Sequence, residues 1–171
     1  MNYPLHFPAL VLVCGLLSAC AAADVPGVEL GTGEIAFEAL EAGQDLEVIR
    51  GPQGGYHFLV SIRTKNIVPG DRGNLGDPTN PTITLDVRHN DESIIVIGPI
   101  TQGLDPAPIS QLPFTHQMTG RFAIIDIQWD DDLDGETVTL KAEVSDTDGT
   151  VVEDSISVHV VPHPDNESNE G

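Results

Sequence analysis

Apolar and polar residues alternate along much of the chain, most clearly near its end. In Thr137–Val144, the residues Val138, Leu140, Ala142 and Val144 fall on one side, and polar residues fall on the other. Successive side chains of a β-strand point to opposite faces, so this period of two predicts a half-buried strand. The same period predicts further strands at Tyr56–Arg63, Pro81–Arg88, Phe122–Trp129 and Val152–Val160.

Three other segments extend this prediction. Ser93–Ile97 is almost entirely apolar and is expected to be covered on both faces, whereas Ile35–Leu40 and Leu46–Arg50 are weaker strand candidates. No segment shows a helical period. Seven or eight short strands separated by turn residues predict an all-β fold, an antiparallel β-sandwich. Residues 98–121 form a long, proline-rich connection, which in a sandwich is typical of a crossover between the two sheets.

The strand phase also predicts which side chains are buried. Phe122–Trp129 would place Ala123, Ile125, Ile127 and Trp129 on the inner face, and Val152–Val160 would place Ile156, Val158 and Val160 there. The domain is expected to span residues 34–162. Residues 20–33 read as a flexible tether and residues 163–171 as a disordered acidic tail.

Residues 138–161, VTLKAEVSDTDGTVVEDSISVHVV, resemble the last hairpin of bacterial immunoglobulin-like domains of the PKD and cadherin-like kind. In those domains a strand ending in V-x-D is followed by a D-G turn and a V-x-V-x-V strand. The resemblance implies an immunoglobulin-like sandwich. The turn residues also have a direct physical role, because Asp side chains cap tight turns and Gly149 can adopt a positive φ.

The first 19 residues read as a secretory signal peptide, with an apolar run that is short for a membrane span. The segment ends in Leu17-Ser18-Ala19-Cys20, which resembles the lipobox of bacterial lipoproteins. That resemblance implies cleavage before Cys20, a diacylglyceride on its sulfur and a further acyl chain, such as palmitate, on its new amine. The residue after the cysteine is Ala21, and in this the chain resembles lipoproteins that Gram-negative bacteria sort to the outer membrane. The alternative is an ordinary signal peptide with a chance cysteine.

Charge limits the classes of partner. The chain has 27 acidic and 7 basic residues, a formal net charge of -20, and none of the charged residues precedes Cys20. Such a surface repels phosphate backbones, so nucleic acid is an unsuitable partner. It also repels anionic lipid heads, so membrane attachment has to come from the lipid anchor.

Asp130-Asp131-Asp132-Leu133-Asp134-Gly135-Glu136 contains D-x-D-x-D-G, the opening of an oxygen-ligand calcium loop. Asp130, Asp132, Asp134 and Glu136 are the candidate ligands. The loop departs from a full EF-hand because its twelfth position is Lys141, where a bidentate Glu is expected. The alternative interpretation is a solvated acidic turn between two strands at one end of the sandwich. The turn at residues 89–92 and the loop at residues 51–55 are expected at the same end.

Gly51-Pro52-Gln53-Gly54-Gly55-Tyr56-His57 leads into one of the best strands. It can be read as a ligand contact made by Gln53, Tyr56 and His57, or as a tight turn that lets strands approach closely. The structural reading is favoured. The mature chain holds five histidines, at positions 57, 89, 116, 159 and 163.

Signatures of the common hydrolases and of catalytic cysteines are absent from the sequence. The sequence therefore predicts a lipid-anchored, non-enzymatic binding or structural module of the cell envelope, with an envelope protein or a glycan as its partner. The alternative is a calcium-dependent or metal-handling binding protein that uses the acidic loop at residues 130–136.

Overall fold

A computed structural model describes residues 25–169, so the signal segment and Cys20 lie outside the described residues. Within that range the chain forms eleven strands and three 3-10 helices, Ile109–Gln111, Asp130–Asp132 and Pro164–Asn169. The strands are β1 (Gly27–Thr32), β2 (Glu38–Ala39), β3 (Asp45–Arg50), β4 (Tyr56–Lys65), β5 (Thr82–His89), β6 (Glu92–Ser93), β7 (Ile100–Thr101), β8 (Asp105–Pro106), β9 (His116–Ile125), β10 (Thr137–Ser145) and β11 (Val151–Pro162). Over residues 25–169, no helix has the length and apolar character that a bilayer crossing requires.

The strands form a β-sandwich, as the sequence predicts. The front sheet consists of β1, β2, β4, β8 and β9, with β4 between β1 and β9. The back sheet consists of β5, β6, β7, β10 and β11, with β10 between β5 and β11. The short strand β3 pairs antiparallel with β4 and parallel with β11, so it joins the two sheets along one side.

The other side of the sandwich is closed by the segment after β6. The N–H of Ile94 donates to the Val87 carbonyl of the back sheet, and the N–H of Val96 donates to the Ile124 carbonyl of the front sheet. Ile95 bridges Ile125. Because this segment lies at the edge, Val96 is exposed, and the expected cover on both faces of Ser93–Ile97 is wrong.

The core lies between the sheets and is made of the side chains that the period of two assigns to the inner face. Tyr56, Phe58, Val60 and Ile62 of β4 are buried against Val138, Leu140, Ala142 and Val144 of β10 and against Val158 and Val160 of β11. β-Branched residues dominate these positions because they pack well on a pleated surface. The inward assignment of these strands is confirmed.

The β10–β11 hairpin has the turn that its sequence predicts. Asp146 accepts hydrogen bonds from the N–H groups of Asp148 and Thr150, and Gly149 has φ of 84°. A second carboxylate oxygen of Asp146 accepts from the N–H of Val68 in another connection. Burial raises the pKa of Asp146, but these backbone donors outweigh it and hold the pKa below its ordinary value.

Several expected boundaries are wrong. The expected tether at residues 20–33 includes β1, where Leu30 is buried and pairs with Ile62. The expected disordered tail includes the 3-10 helix Pro164–Asn169, which Asn166 holds in place through buried hydrogen bonds. The domain therefore begins near residue 27 and extends past residue 162.

The expected strand at Phe122–Trp129 is displaced. The actual strand β9 begins at His116, inside the expected crossover, and ends at Ile125. Trp129 is beyond the strand, is 49% exposed and begins the turn at Asp130–Asp132, so its inward assignment is wrong. The proline-rich segment also forms β7, β8 and a short 3-10 helix, and of the expected strand at Ile35–Leu40 only Glu38–Ala39 is present.

Candidate binding groove

The glycine-rich loop at residues 51–55 is the hairpin between β3 and β4. The N–H of Gly51 donates to the Gly55 carbonyl at 2.7 Å, which extends the ladder, and the N–H of Gly54 donates to the Gly51 carbonyl. Gly54 has φ of 88°, a conformation that L-residues rarely adopt. The loop is therefore a tight turn, and ligand contact by Gln53, Tyr56 and His57 stays a prediction.

His57 is on the outer face of β4, directly beside this loop. Its ring centroid is 4.4 Å from that of Phe122, and the two planes are tilted by 46°. Although His57 has the outward phase of its strand, the loop and Phe122 leave it only 9% exposed. Burial lowers the pKa of His57, which favours the neutral imidazole.

A groove of about 470 Å³ opens on this face of the front sheet, and we call it the candidate groove. It is lined by residues 51, 52, 53 and 55 of the hairpin loop and by Tyr56, His57, Phe122 and Ile124. Phe122 is 56% exposed and Ile124 is 38% exposed. None of these described lining residues is an acid, a lysine or an arginine.

Of the three residues singled out from the sequence, Gln53 and His57 come together at the groove. Tyr56 adjoins the groove but is only 3% exposed and packs in the core, so it supports the strand beneath the groove and is not open to a ligand. Phe122 and Ile124 are not among them, because the sequence prediction uses only the inner face of that strand. Their signal was present in the sequence: Phe122–Ile125 is apolar at every position, which indicates apolar residues on both faces of the strand.

The opposite end of the same sheet face is covered by the chain itself. The Arg63 guanidinium is 4.5 Å from the ring centroid of Phe37 and 4.4 Å from that of Phe114, and it donates to both carboxylate oxygens of Glu29. Loops before β2 and β9 thus close one end of the face, near the end of β4. At the other end, near the start of β4, the apolar side chains at the candidate groove are left in solvent.

The acidic loop at residues 130–136 is at the same end of the sandwich as the hairpin loop, as expected. Asp130 accepts from the Asn166 side-chain amide at 2.7 Å, whereas Asp132 accepts from the Trp129 N–H at 3.0 Å. Glu136 is 3.5 Å from the His89 imidazole. The structure therefore directs these carboxylates to separate partners.

Asp134, the remaining predicted ligand, is on the same turn, where Gly135 has φ of 73°. Over residues 25–169, no three His, Asp or Glu side chains are placed to hold a metal ion together. Calcium binding by Asp130, Asp132, Asp134 and Glu136 stays a prediction.

The other histidines are dispersed over the surface. His116 is next to the Thr115 hydroxyl, His159 is next to the Thr137 hydroxyl, and His163 is 3.7 Å from Glu47. Burial lowers the pKa of His116. Among the five, His57 differs in that its ring forms part of an apolar groove.

Comparisons with known proteins assign no family to this chain. No protein-family profile matches the chain, and no curated protein matches it. Among solved structures, the chain is similar to CopC from Methylosinus trichosporium OB3b, with 15% sequence identity and a TM-score of 0.31. The similarity covers 72% of this chain and 87% of that one.

Proposed function

We propose that the chain is a non-enzymatic binding module of the cell envelope, held to a membrane by lipid on Cys20, and that it takes its partner in the candidate groove. The observation that carries the binding role is the exposure of Phe122 and Ile124 at an uncharged groove on an otherwise acidic molecule. Exposed apolar patches with polar surroundings are typical of interaction sites. The lipobox resemblance supports the anchor, and Ala21 supports the outer membrane as its destination.

The position of the groove suits an anchored module. Gly27, the first residue of β1, pairs with Lys65 at the end of β4, whereas His57 is near the start of β4. A strand of 10 residues extends over about 30 Å. The chain between Cys20 and Gly27 reaches at most about 25 Å when extended. A lipid on Cys20 would therefore hold the Lys65 end near the bilayer and leave the groove facing away from it.

Cell fractionation tests the anchor. In a Gram-negative host we expect the unaltered chain in the membrane fraction and labelled by a fatty-acid precursor, because two or three acyl chains give stable attachment. Cys20→Ala should lose the label and leave the membrane fraction. Cys14→Ala is the matched control, since it alters the other cysteine and should change neither property. Equal membrane retention of Cys20→Ala would contradict the anchor.

Site-specific photo-crosslinking in the same cells tests the binding role. A photoreactive phenylalanine analogue at position 122 preserves an aromatic side chain in the groove. The same analogue at position 151 is the control, because Val151 is an exposed apolar residue of the back sheet. We expect a discrete crosslinked product from position 122 alone. Identical products from both positions, or none from position 122, would count against a partner in the groove.

A further inference from the structure

Charges around the candidate groove are arranged with acids at its margin. Ile49 of β3 pairs with His57, and Glu47 is two residues away on the same face of that strand. On β9, Asp126 follows Ile124 by two residues and is exposed. The described lining residues themselves carry no formal charge. The register therefore places one acidic residue on each side of the groove, and the Glu47 carboxylate is also 3.7 Å from the His163 imidazole.

The whole-molecule charge acts in the same direction. With a formal net charge of -20, the chain attracts cations over long distances and repels anionic polymers. A second copy of this chain would bring an equal negative charge to the same surface, which opposes self-association. Charge complementarity thus favours a basic partner.

The lining chemistry distinguishes between a protein and a sugar. Gln53 and the largely buried His57 supply the polar side chains, and Phe122 and Ile124 supply an apolar surface. A sugar presents many hydroxyl groups, and each one that is desolvated needs a hydrogen-bond partner. A single aromatic or branched aliphatic side chain needs none, so the lining favours a protein segment.

We infer that the candidate groove receives an apolar side chain of a protein segment whose neighbouring residues are lysine or arginine, placed against Glu47 and Asp126. This inference rests on the proposed function, because it names the class of partner for the same groove. The apolar side chain would contact Phe122. The basic residues would raise the association rate and would select this partner over others.

Selection from a displayed library of random 12-residue peptides tests the inference. The target is the purified full chain in detergent, and peptides that also bind Phe122→Ser/Ile124→Thr are discarded. We expect the surviving peptides to share an aromatic or branched aliphatic residue flanked by Lys or Arg. Their affinity should fall by at least about tenfold in the groove variant and should weaken as salt rises from about 0.05 M to about 0.5 M.

Charge-reversal variants provide the matched control. Glu47→Lys/Asp126→Lys should weaken the selected peptides by about tenfold or more. Glu153→Lys/Asp148→Lys changes the net charge equally on the back sheet and its turn, and it should have a much smaller effect. Equal effects of the two pairs would overturn the placement of basic residues at the groove margin.

The remaining outcomes separate this inference from the proposed function. Peptides that depend on Phe122 but carry no Lys or Arg would overturn the inference and leave a binding groove. Sugars from a glycan array that bind only when Phe122 is present would also overturn the inference and leave a binding groove. A dimer that sedimentation detects in the unaltered chain but not in Phe122→Ser would have the same meaning. If no peptide, sugar or second copy depends on Phe122, both the inference and the proposed binding role are wrong.

Discussion

The side-chain amide of Asn166 donates a hydrogen bond of 2.7 Å to the Asp130 carboxylate, 36 residues earlier in the chain. The same amide donates to the Val48 carbonyl at 2.9 Å, and the Asn166 side-chain oxygen accepts from the Arg50 N–H at 2.8 Å. One buried side chain therefore connects the end of the domain to β3 and to the acidic turn. This connection supports the strand that leads into the hairpin loop of the candidate groove.

Asn166→Ala should lower the free energy of unfolding by about 1–3 kcal/mol, because it leaves the Arg50 N–H without its acceptor and the Val48 carbonyl with only the His163 N–H. Urea denaturation followed by circular dichroism measures the change. Asn74→Ala is the control, since Asn74 accepts from the Gly76 N–H in an exposed turn. A shift in Asn166→Ala no larger than in the control would show that the end of the domain contributes nothing to stability.

Two glycines with positive φ should respond differently to alanine. Gly120 is at a bulge between β4 and β9, with φ of 65°, and a Cβ there would clash with the Glu34 carbonyl oxygen. Gly54 has φ of 88°, but a Cβ there meets nothing within 4 Å. We expect Gly54→Ala to cost about 1 kcal/mol for conformation alone, and Gly120→Ala to cost at least about twice that. Equal losses in thermal unfolding would contradict the close packing at Gly120.

Acid should lower the free energy of unfolding of the domain, in part because Asp146 becomes protonated. Burial raises its pKa, but the stronger effect of the Val68, Thr150 and Asp148 N–H groups lowers it in the folded state. A carboxyl whose folded pKa is below the unfolded value near 3.9 stabilises the fold above that pH. This contribution is then lost as the pH falls through the folded pKa. Asp146→Ala should therefore show a shallower loss of stability below about pH 4 than the unaltered chain.

Stability at neutral pH provides the control for Asp146. Asp146→Ala should lower the free energy of unfolding at pH 7 by about 2 kcal/mol, since three backbone donors lose a charged acceptor. Asp148→Ala removes a carboxylate from the same turn while preserving those three bonds, and it should change stability by less than about 0.5 kcal/mol. A pH profile of Asp146→Ala parallel to that of the unaltered chain would contradict the role assigned to Asp146.

Thermal unfolding with calcium tests the acidic loop. We expect the melting temperature to be the same in millimolar calcium and in chelator, because Asp130, Asp132 and Glu136 are directed to different partners. A ligand that binds only the folded state raises its stability in proportion to the logarithm of its concentration. A rise that Asp132→Asn and Asp134→Asn abolish would instead establish the calcium loop that the sequence motif predicts.

The sequence predicts the sandwich where one face of a strand is buried and the other is solvated. β10 and β11 are the clearest case, because Leu140 and Val158 occur in strict alternation with polar residues. β1 lies within the predicted tether, and Gly27 and Gly31 interrupt the alternation along it. The structure explains Gly31, since the Phe37 ring occupies the space where a Cβ would lie. Such a contact between a strand and the loop that follows it leaves no period along the chain.

The candidate groove was predicted only in part. The hairpin loop indicated Gln53 and His57, but nothing in the local pattern placed Phe122 beside His57, because that contact depends on the register between β4 and β9. The prediction that Trp129 is in the core extends the alternation past Ile125, where the strand ends. The acidic motif predicts carboxylates that bind one cation together. In the structure the Asp130 carboxylate instead accepts a hydrogen bond from Asn166, a residue of the predicted disordered tail.

An NMR titration with neutral apolar fragments tests the central claim, that the open end of the front sheet is a binding groove, most directly. The account predicts that the signals of His57, Phe122 and Ile124 move together, and that Phe122→Ser/Ile124→Thr loses the response. The control Val151→Ser should retain it. Fragments that move signals of the back sheet, or that bind the groove variant as well as the unaltered chain, would contradict the account.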